Sequence, residues 1–231
     1  MRKYWHTGKL FLLIALFIGI AYIGISQFVQ FNTAFTYPED PLQRMMEGNQ
    51  RFYNFHPVHP DEDIRRLRKA PEGQHPFAVV ICCSDSRLSP ELIFDQGMGD
   101  LFVIRTAGNI IGGVELGSVE YAVEHLGAKL VVVMGHESCG AVKALVEGGE
   151  VHGHIQDIID SLKQEAEIRE LVSREGYQLE HCIRANVMHG VRQLNSQSVV
   201  VQEKVAQGQL KIIGARFDLN SLKVETISLS K

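Results

Sequence analysis

Three residues of types that bind metal ions stand where two apolar runs of the sequence end. Cys83 ends the run 76–83, His136 ends the run 128–136, and Cys139 follows three residues later. If a helix begins near Cys139, the turn before it brings that thiol back to His136. Two thiolates and one imidazole suit zinc, with ligand distances of about 2.0–2.3 Å. Three protein ligands that leave a fourth position open are typical of a catalytic zinc site.

A carboxylate and a guanidinium follow the first of these residues. Asp85 is two residues beyond Cys83, and Arg87 is two residues further. Arg87 can hold the carboxylate in a bidentate pair. Without that partner, Asp85 could itself bind the metal and close the site, so it is also a candidate fourth ligand. With it, Asp85 can accept a hydrogen bond from zinc-bound water, whose pKa zinc can lower to about 7 from 15.7. The spacing therefore predicts a hydroxide that attacks a small electrophilic carbon.

A parallel β-sheet would place these side chains together. Continuous apolar runs predict buried strands at 76–82, 100–106 and 128–136, with a helix at 113–127 between the last two. A strand, a helix and a strand in this order imply a parallel crossover, and open α/β sheets build their sites beyond the carboxyl ends of strands. Further helices are predicted at 38–55, 61–70, 140–148, 154–175 and 177–207, and a closing strand pair around Asn220 and Ser221. We therefore predict one α/β domain over 38–231, with a mostly parallel sheet flanked by helices.

The N-terminal 29 residues differ from the rest of the chain. Residues 10–25, "LFLLIALFIGIAYIGI", carry no charged side chain and follow Arg2, Lys3 and Lys9. With Phe28 and Val29 the apolar stretch is about 20 residues, long enough for a transmembrane helix. The positive flank predicts that the N-terminus stays in the cytoplasm and that the body is exported. The segment is either a cleaved signal peptide or, as its length favours, an uncleaved anchor, followed by a tether at 30–37.

Charge and cysteine content exclude two classes of protein. Without its three N-terminal bases the chain has 20 Lys and Arg against 27 Asp and Glu, a net charge of −7. An acidic body argues against a nucleic-acid partner, because phosphate binding needs a basic surface. The four cysteines, at 82, 83, 139 and 182, do not resemble a disulfide framework, because adjacent Cys82 and Cys83 cannot easily pair and a disulfide scaffold has more cysteines in a shorter chain.

The two metal-site segments resemble those of a known enzyme family. "CSDSR" at 83–87 and "HESCGA" at 136–141 are similar to the paired motifs of the β-class carbonic anhydrases. The segments "PELIFDQGMGDLFVIRTAGNI", "GSVEYAVEHLGAKLVVVMGH" and "GARFDLNSLKVETI" extend the likeness over about residues 40–228. Either motif alone would be weak, but the two at this separation are highly specific.

The resemblance implies a role for each matching residue. Cys83, His136 and Cys139 would bind one zinc ion per subunit, and Asp85 with Arg87 would form the catalytic dyad. The other matches would contact substrate: Gln74 would reach bicarbonate in a neighbouring subunit, Phe102 and Tyr121 would line the pocket, and Gly140 would offer its backbone. The resemblance also implies a homodimer or tetramer with active sites at the interface. A subgroup of the family has an inhibitory bicarbonate pocket with a tryptophan and a tyrosine, where this chain has Val80 and Phe217.

Several polar residues have simpler interpretations. Cys82 and Cys182 are expected in the core, since successive side chains of a strand point to opposite faces and Cys182 lies in a helical pattern. Glu137 follows a histidine as in zinc proteases, but no second histidine stands at position 140. His152 and His154 are expected in a solvated loop.

The sequence thus predicts a zinc lyase that interconverts carbon dioxide and bicarbonate beyond the cytoplasmic membrane. Three alternatives stay open. One is a hydrolase of carbon disulfide or carbonyl sulfide on the same scaffold. The second is an inactive, zinc-bearing module tethered to the membrane, which would not need Asp85 and Arg87. The third is a redox protein that uses Cys82 and Cys83.

Overall fold

The fold is taken from a computed structural model, which describes residues 14–22, 36–172 and 179–227. The chain divides into two compact units, Met1–Tyr37 and Pro38–Lys231. In the first unit, residues 14–22 are helical. Among the described residues, no helix combines the length and the apolar composition needed to cross a bilayer. Residues 1–13 and 23–29 of the predicted anchor, and 30–35 of the predicted tether, lie outside the described residues.

The second unit is built on five strands and nine α-helices within the described residues. The strands are β1 (Ala78–Cys83), β2 (Leu101–Thr106), β3 (Leu130–His136), β4 (Lys211–Phe217) and β5 (Val224–Ile227). The helices are α1 (Pro41–Tyr53), α2 (Ile64–Lys69), α3 (Pro90–Ile93), α4 (Gly113–Glu124), α5 (Gly140–Glu147), α6 (Ile155–Leu162), α7 (Ala166–Val172), α8 (Leu179–Gln197) and α9 (Val199–Ala206). Short 3₁₀ turns at Ala70–Glu72 and Ala107–Asn109 complete it.

The five strands form one sheet in the order β2-β1-β3-β4-β5. All neighbours are parallel except the pair β4 and β5, which is antiparallel. The predicted mostly parallel α/β fold is therefore confirmed. The closing pair turns at 218–223, where the Asp218 amide donates to the Lys223 carbonyl at 2.9 Å.

Both faces of the central strands β1 and β3 are buried, which explains their continuous apolar runs, whereas the edge strand β2 is only half-buried and the prediction of a buried strand at 100–106 was wrong in that respect. Val80 and Val132 lie in one core cluster, while Val79 and Val131 lie in the other. Alternate residues of a strand point to opposite faces, so a strand buried on both sides reads as uniformly apolar. All of β1 and β3 is buried, and helices cover both faces.

Two predicted long helices are each broken in the structure, so the predictions of continuous helices at 154–175 and 177–207 were wrong. The first is interrupted at 163–165, between α6 and α7. There Glu165 is 7% exposed and accepts hydrogen bonds from the Glu167 amide at 3.0 Å and from Arg192 at 2.8 Å. The second is interrupted at Ser198, whose hydroxyl caps α9 by accepting from the Val201 amide at 3.2 Å. Residues 173–178 lie outside the described residues.

Candidate active site

The three predicted metal donors lie at one edge of the sheet. Cys83 is the last residue of β1, His136 is the last residue of β3, and Cys139 is the N-cap of α5. Since β1 and β3 are adjacent and parallel, their carboxyl ends meet at that edge. One donor atom from each residue lies within 4.8 Å of the other two. The three side chains are at most 5% exposed.

The hydrogen bonding of the His136 ring gives independent support for a metal ion at this donor group. His136 Nδ1 is 2.9 Å from the Glu137 carbonyl, while its Nε2 is buried and has no hydrogen-bond partner. An unpaired buried nitrogen is costly, and metal binding is one way to satisfy it. A backbone carbonyl on the other ring nitrogen is the usual arrangement for a metal-bound histidine, because it fixes the tautomer. Two sulfurs and this nitrogen suit zinc.

The local environment favours a thiolate at Cys83. The neighbouring Cys139 thiol, together with His136 and the Gly108 amide, outweighs burial and lowers the pKa of Cys83 to about 4. The Gly108 amide donates to the Cys83 sulfur at 3.3 Å. The same thiol–thiol contact, with burial, raises the pKa of Cys139. Since the thiolate is the metal-binding form of cysteine, the pair holds one sulfur ready for a metal ion.

Arg87 holds Asp85 at the mouth of the donor group. Arg87 Nε and Nη2 donate to the two carboxylate oxygens at 2.9 and 2.7 Å, and the Arg87 amide donates to Oδ1 at 3.0 Å. The Arg87 hydrogen bond is the largest cause that holds the pKa of Asp85 well below its usual range. Asp85 Oδ2 is 3.9 Å from His136 Nε2. The carboxylate therefore lies beside the donors, paired with Arg87 and outside the three-donor group.

Comparison with known proteins identifies the family to which this constellation belongs. The sequence profile of the family described as carbonic anhydrase matches residues 78–224. The chain belongs to the β-carbonic anhydrase family. It is 39% identical over 194 residues to a carbonic anhydrase of Mycolicibacterium smegmatis, a match that covers 81% of this chain and 92% of that protein.

Solved structures of β-carbonic anhydrases share the fold. The β-carbonic anhydrase CcaA superposes with a TM-score of 0.66 at 31% identity, over 82% of this chain and 96% of that one. A β-carbonic anhydrase of Sordaria macrospora, one of two described as tetrameric, gives a TM-score of 0.65 at 24% identity. That match covers 80% of this chain and 95% of the other and speaks to the fold alone. Zinc is the metal of the family.

The four predicted substrate-contacting residues of this β-carbonic anhydrase lie in three separate parts of the fold. Phe102 on β2 and Tyr121 on α4 are neighbours, with ring centroids 6.4 Å apart, and Tyr121 is 47% exposed. Gly140 is the first residue of α5, next to Cys139, and is exposed. Gln74 is exposed in the segment before β1. The single chain therefore pairs the two aromatic residues and places Gly140 beside a metal donor.

Four residues that sequence reasoning did not assign support the site. Arg105 donates to the Asp85 carbonyl at 2.8 Å, and the Gly108 amide reaches Cys83. Asn186 donates to the Gly108 carbonyl at 2.8 Å, and Glu137 accepts from the Leu219 amide at 3.0 Å. The segment "RTAGN", which spans the end of β2 and the turn after it, was the available signal for two of them. For Asn186, inside a long helix, the sequence offered no signal.

The remaining polar residues have structural roles or lie in solvent. Cys82 and Cys182 are fully buried, as expected. His152 and His154 are exposed, and His154 pairs with Asp157 at 2.8 Å.

Val80 and Phe217 stand at the two positions where the resemblance implies the inhibitory bicarbonate pocket of a family subgroup. Both lie in the apolar core, at 0% and 1% exposure.

Proposed function

We propose that Cys83, His136 and Cys139 hold the zinc ion of a carbonic anhydrase that reversibly converts carbon dioxide and water into bicarbonate and a proton, with Asp85 and Arg87 as its catalytic dyad. The observation that carries this assignment is the buried donor group, whose atoms lie within 4.8 Å of one another beside a paired carboxylate. Membership of the carbonic anhydrase family agrees with it. When bound here, zinc supplies Lewis-acid chemistry that lowers the pKa of a coordinated water to about 7.

Asp85 acts as a fixed hydrogen-bond acceptor. Because Arg87 holds its pKa well below the usual range, the carboxylate stays ionised at neutral pH and does not store a proton. An ionised carboxylate only accepts hydrogen bonds, so it selects a nucleophile that still carries a proton and orients it. Arg87 in turn prevents Asp85 from swinging onto the metal as a fourth ligand. The proton released in each turnover must continue to solvent.

The remaining roles follow the family resemblance. Phe102 and Tyr121, whose rings are neighbours, would line the carbon dioxide pocket, and Gly140 at the start of α5 would offer its backbone to bound substrate. Gln74 would contact bicarbonate in the neighbouring subunit of a homodimer or tetramer.

The alternatives have less support. A redox role for Cys82 conflicts with its environment, since burial raises the pKa of that thiol to about 12 and the side chain is 0% exposed. An inactive zinc module would not need the Asp85–Arg87 pair. A hydrolase of carbon disulfide or carbonyl sulfide would use the same residues, but the curated relatives are carbonic anhydrases.

The direct test is metal analysis combined with stopped-flow hydration of carbon dioxide. We expect the purified chain to contain zinc and to be active, and Cys83→Ser to lose both, because a serine hydroxyl is a poor zinc ligand. Cys182→Ser, an equally buried cysteine on α8, is the matched control and should keep zinc and activity. Zinc at wild-type content in Cys83→Ser, or hydration no faster than in buffer by the wild type, would contradict the assignment.

The location of the enzyme is a separate proposal. The basic flank and apolar stretch of residues 1–29 support export of the body, with that segment as an anchor or a cleaved signal. Fractionation of cells that produce the full chain tests it. An anchor predicts activity in the membrane fraction that salt does not release, whereas a cleaved signal predicts a shortened protein outside the cytoplasm. Full-length protein in the cytoplasmic fraction would contradict both.

A further inference from the structure

A single backbone amide links the loop after β2 to a metal donor. Gly108 lies in the 3₁₀ turn Ala107–Asn109, and its N–H donates to the Cys83 sulfur at 3.3 Å. Gly108 adopts φ 69° and ψ 22°, a left-handed conformation that favours glycine. A Cβ at this position would also lie 3.0 Å from the Ala141 Cβ. The Gly108 N–H therefore points at the Cys83 sulfur only while the turn at 107–109 keeps its conformation.

Asn186 supplies a support on the opposite side of the same peptide segment. Its Nδ2 donates to the Gly108 carbonyl at 2.8 Å, and the residue is 5% exposed on α8. Asn109, the neighbour of Gly108, also has a positive φ of 48°, and its buried Nδ2 has no hydrogen-bond partner. Asn186 thus anchors a turn in which Gly108 and Asn109 both have positive φ angles. The Asn109 Nδ2 atom gives this turn no further hydrogen bond.

The surroundings of Asn186 are mostly polar. A cleft of about 200 Å³ borders it between the loop and helices α6 and α8. The polar side chains that line the cleft with Asn186 are Asn109, Ser161, Gln164, His189, Gln193 and Gln197. Ile110 and Ile111 also border the cleft and Leu162 lies beside Gly108, so the Asn186 hydrogen bond acts together with apolar contacts in fixing this loop.

We infer that Asn186 is a positioning residue of the metal centre, which holds the Gly108 amide against the Cys83 sulfur and thereby strengthens metal binding. The inference rests on the proposed zinc site. A donor aimed at a thiolate stabilises its negative charge, and partners of metal ligands typically contribute about 10- to 100-fold to metal affinity. Asn186 acts over two hydrogen bonds and touches neither metal nor substrate.

Two variants test the inference through metal affinity. Asn186→Ala removes the donor, and Asn186→Asp keeps the shape but turns an acceptor toward the Gly108 carbonyl. We expect both to bind zinc about 10- to 100-fold more weakly in competition with a chelator. In the cobalt-substituted protein, the sulfur-to-cobalt absorption should shift, a signature that a general loss of stability would not change.

Asn49→Ala is the matched control. Asn49 is 1% exposed and donates to the Ile93 and Leu222 carbonyls at 3.1 and 3.0 Å, away from the metal donors. Since Asn49 also accepts from the Val224 amide at 2.9 Å, this variant should lower the melting temperature at least as much as the Asn186 variants but leave zinc affinity unchanged. If folded Asn186 variants bind zinc as tightly as the wild type, the inference is wrong although the zinc site stands. A wild-type chain that binds no zinc would instead remove the proposed function.

A measurement on the unaltered protein keeps the inference falsifiable if the Asn186 variants do not fold. In the chain loaded with ¹¹³Cd, a hydrogen bond from Gly108 to Cys83 should give scalar coupling between the Gly108 amide proton and the metal. The absence of this coupling in a folded, cadmium-loaded protein would overturn the inference.

Discussion

At the scale of single residues, the most informative side chain is Asp85. Asp85→Asn removes the negative charge but keeps the size, and the residue is not one of the three buried donors. We expect zinc content to be unchanged and carbon dioxide hydration to fall about 10²-fold, the loss expected when the nucleophile is no longer oriented by an ionised acceptor. Stopped-flow hydration with parallel metal analysis checks this.

The control for this variant is another carboxylate far from the donors. Asp160 is exposed on α6, and its carboxylate accepts a hydrogen bond from Gln156, one helical turn earlier. Asp160→Asn should retain wild-type turnover. Full turnover with zinc present in Asp85→Asn would refute the role given to its charge.

The sequence predicted the metal donors because strand ends are local features. Cys83 and His136 each close a run of apolar residues, so their location at the sheet edge follows from the parallel arrangement alone. The supports of those donors were not predictable in this way. Asn186 meets Gly108 across 78 residues of sequence, and that contact depends on how α8 packs against the loop.

At the scale of the elements, the break at Ser198 makes a second prediction. The Ser198 hydroxyl accepts from the Val201 amide and donates to Glu120 at 2.6 Å, and so ties the start of α9 to α4. Ser198→Ala should lower the free energy of unfolding by about 1–2 kcal/mol, since an N-cap serine alone contributes about that much. Urea titration measures it.

Ser196 provides a comparison within the same connection. It is exposed at the end of α8 and makes one long hydrogen bond, 3.5 Å to the Gln193 carbonyl. Ser196→Ala should change stability by less than about 0.5 kcal/mol. Equal losses in the two variants would show that the cap does not stabilise this junction.

The helix breaks also show where sequence patterns stop being informative. Apolar residues at helical spacing stand on both sides of 163–165 and of 198, and neither break contains a glycine or a proline, so the pattern alone predicted unbroken helices. The breaks follow from contacts with distant residues: Glu165 pairs with Arg192 and His189, and Ser198 pairs with Glu120. Side-chain hydrogen bonds of this kind end a helix without leaving a glycine or proline in the sequence.

The turn between β4 and β5 predicts a dependence of stability on pH. Hydrogen bonds from the Ser221 amide, and then from Arg216, lower the pKa of Asp218 below its ordinary value of 3.8. A carboxylate with a lowered folded-state pKa stabilises the fold above its unfolded pKa, and this stabilisation is lost as the pH falls toward the folded value. Relative to Asp218→Asn, the wild type should therefore be more stable by a constant amount between about pH 5 and pH 8.

Denaturant titration of both proteins between about pH 3 and pH 8 measures this difference. We expect it to shrink only below the ordinary carboxyl pKa of 3.8. A difference that grows as the solution becomes more acidic would contradict a lowered pKa of Asp218 in the folded protein.

At the scale of the whole molecule, the position of Gln74 makes the last prediction. Gln74 is exposed before β1, whereas the metal donor Cys83 is buried at the carboxyl end of the same strand. Because the two ends of a strand lie far apart, Gln74 suits a site in a neighbouring subunit better than its own. Gln74→Ala should lower the catalytic efficiency about 10- to 100-fold, the loss expected for one hydrogen bond to a charged substrate.

Hybrid oligomers test whether this residue acts between subunits. One subunit carries Gln74→Ala and keeps its metal donors, and the other carries Cys83→Ser and keeps its glutamine. If Gln74 serves the neighbouring site, the hybrid dimer contains one complete site and should recover about half of the wild-type activity, although each parent is impaired. If Gln74 serves its own subunit, no complete site exists, and the hybrid should be no more active than Gln74→Ala. Differently tagged subunits, co-expressed and purified over both tags, allow the two outcomes to be separated by the stopped-flow rate.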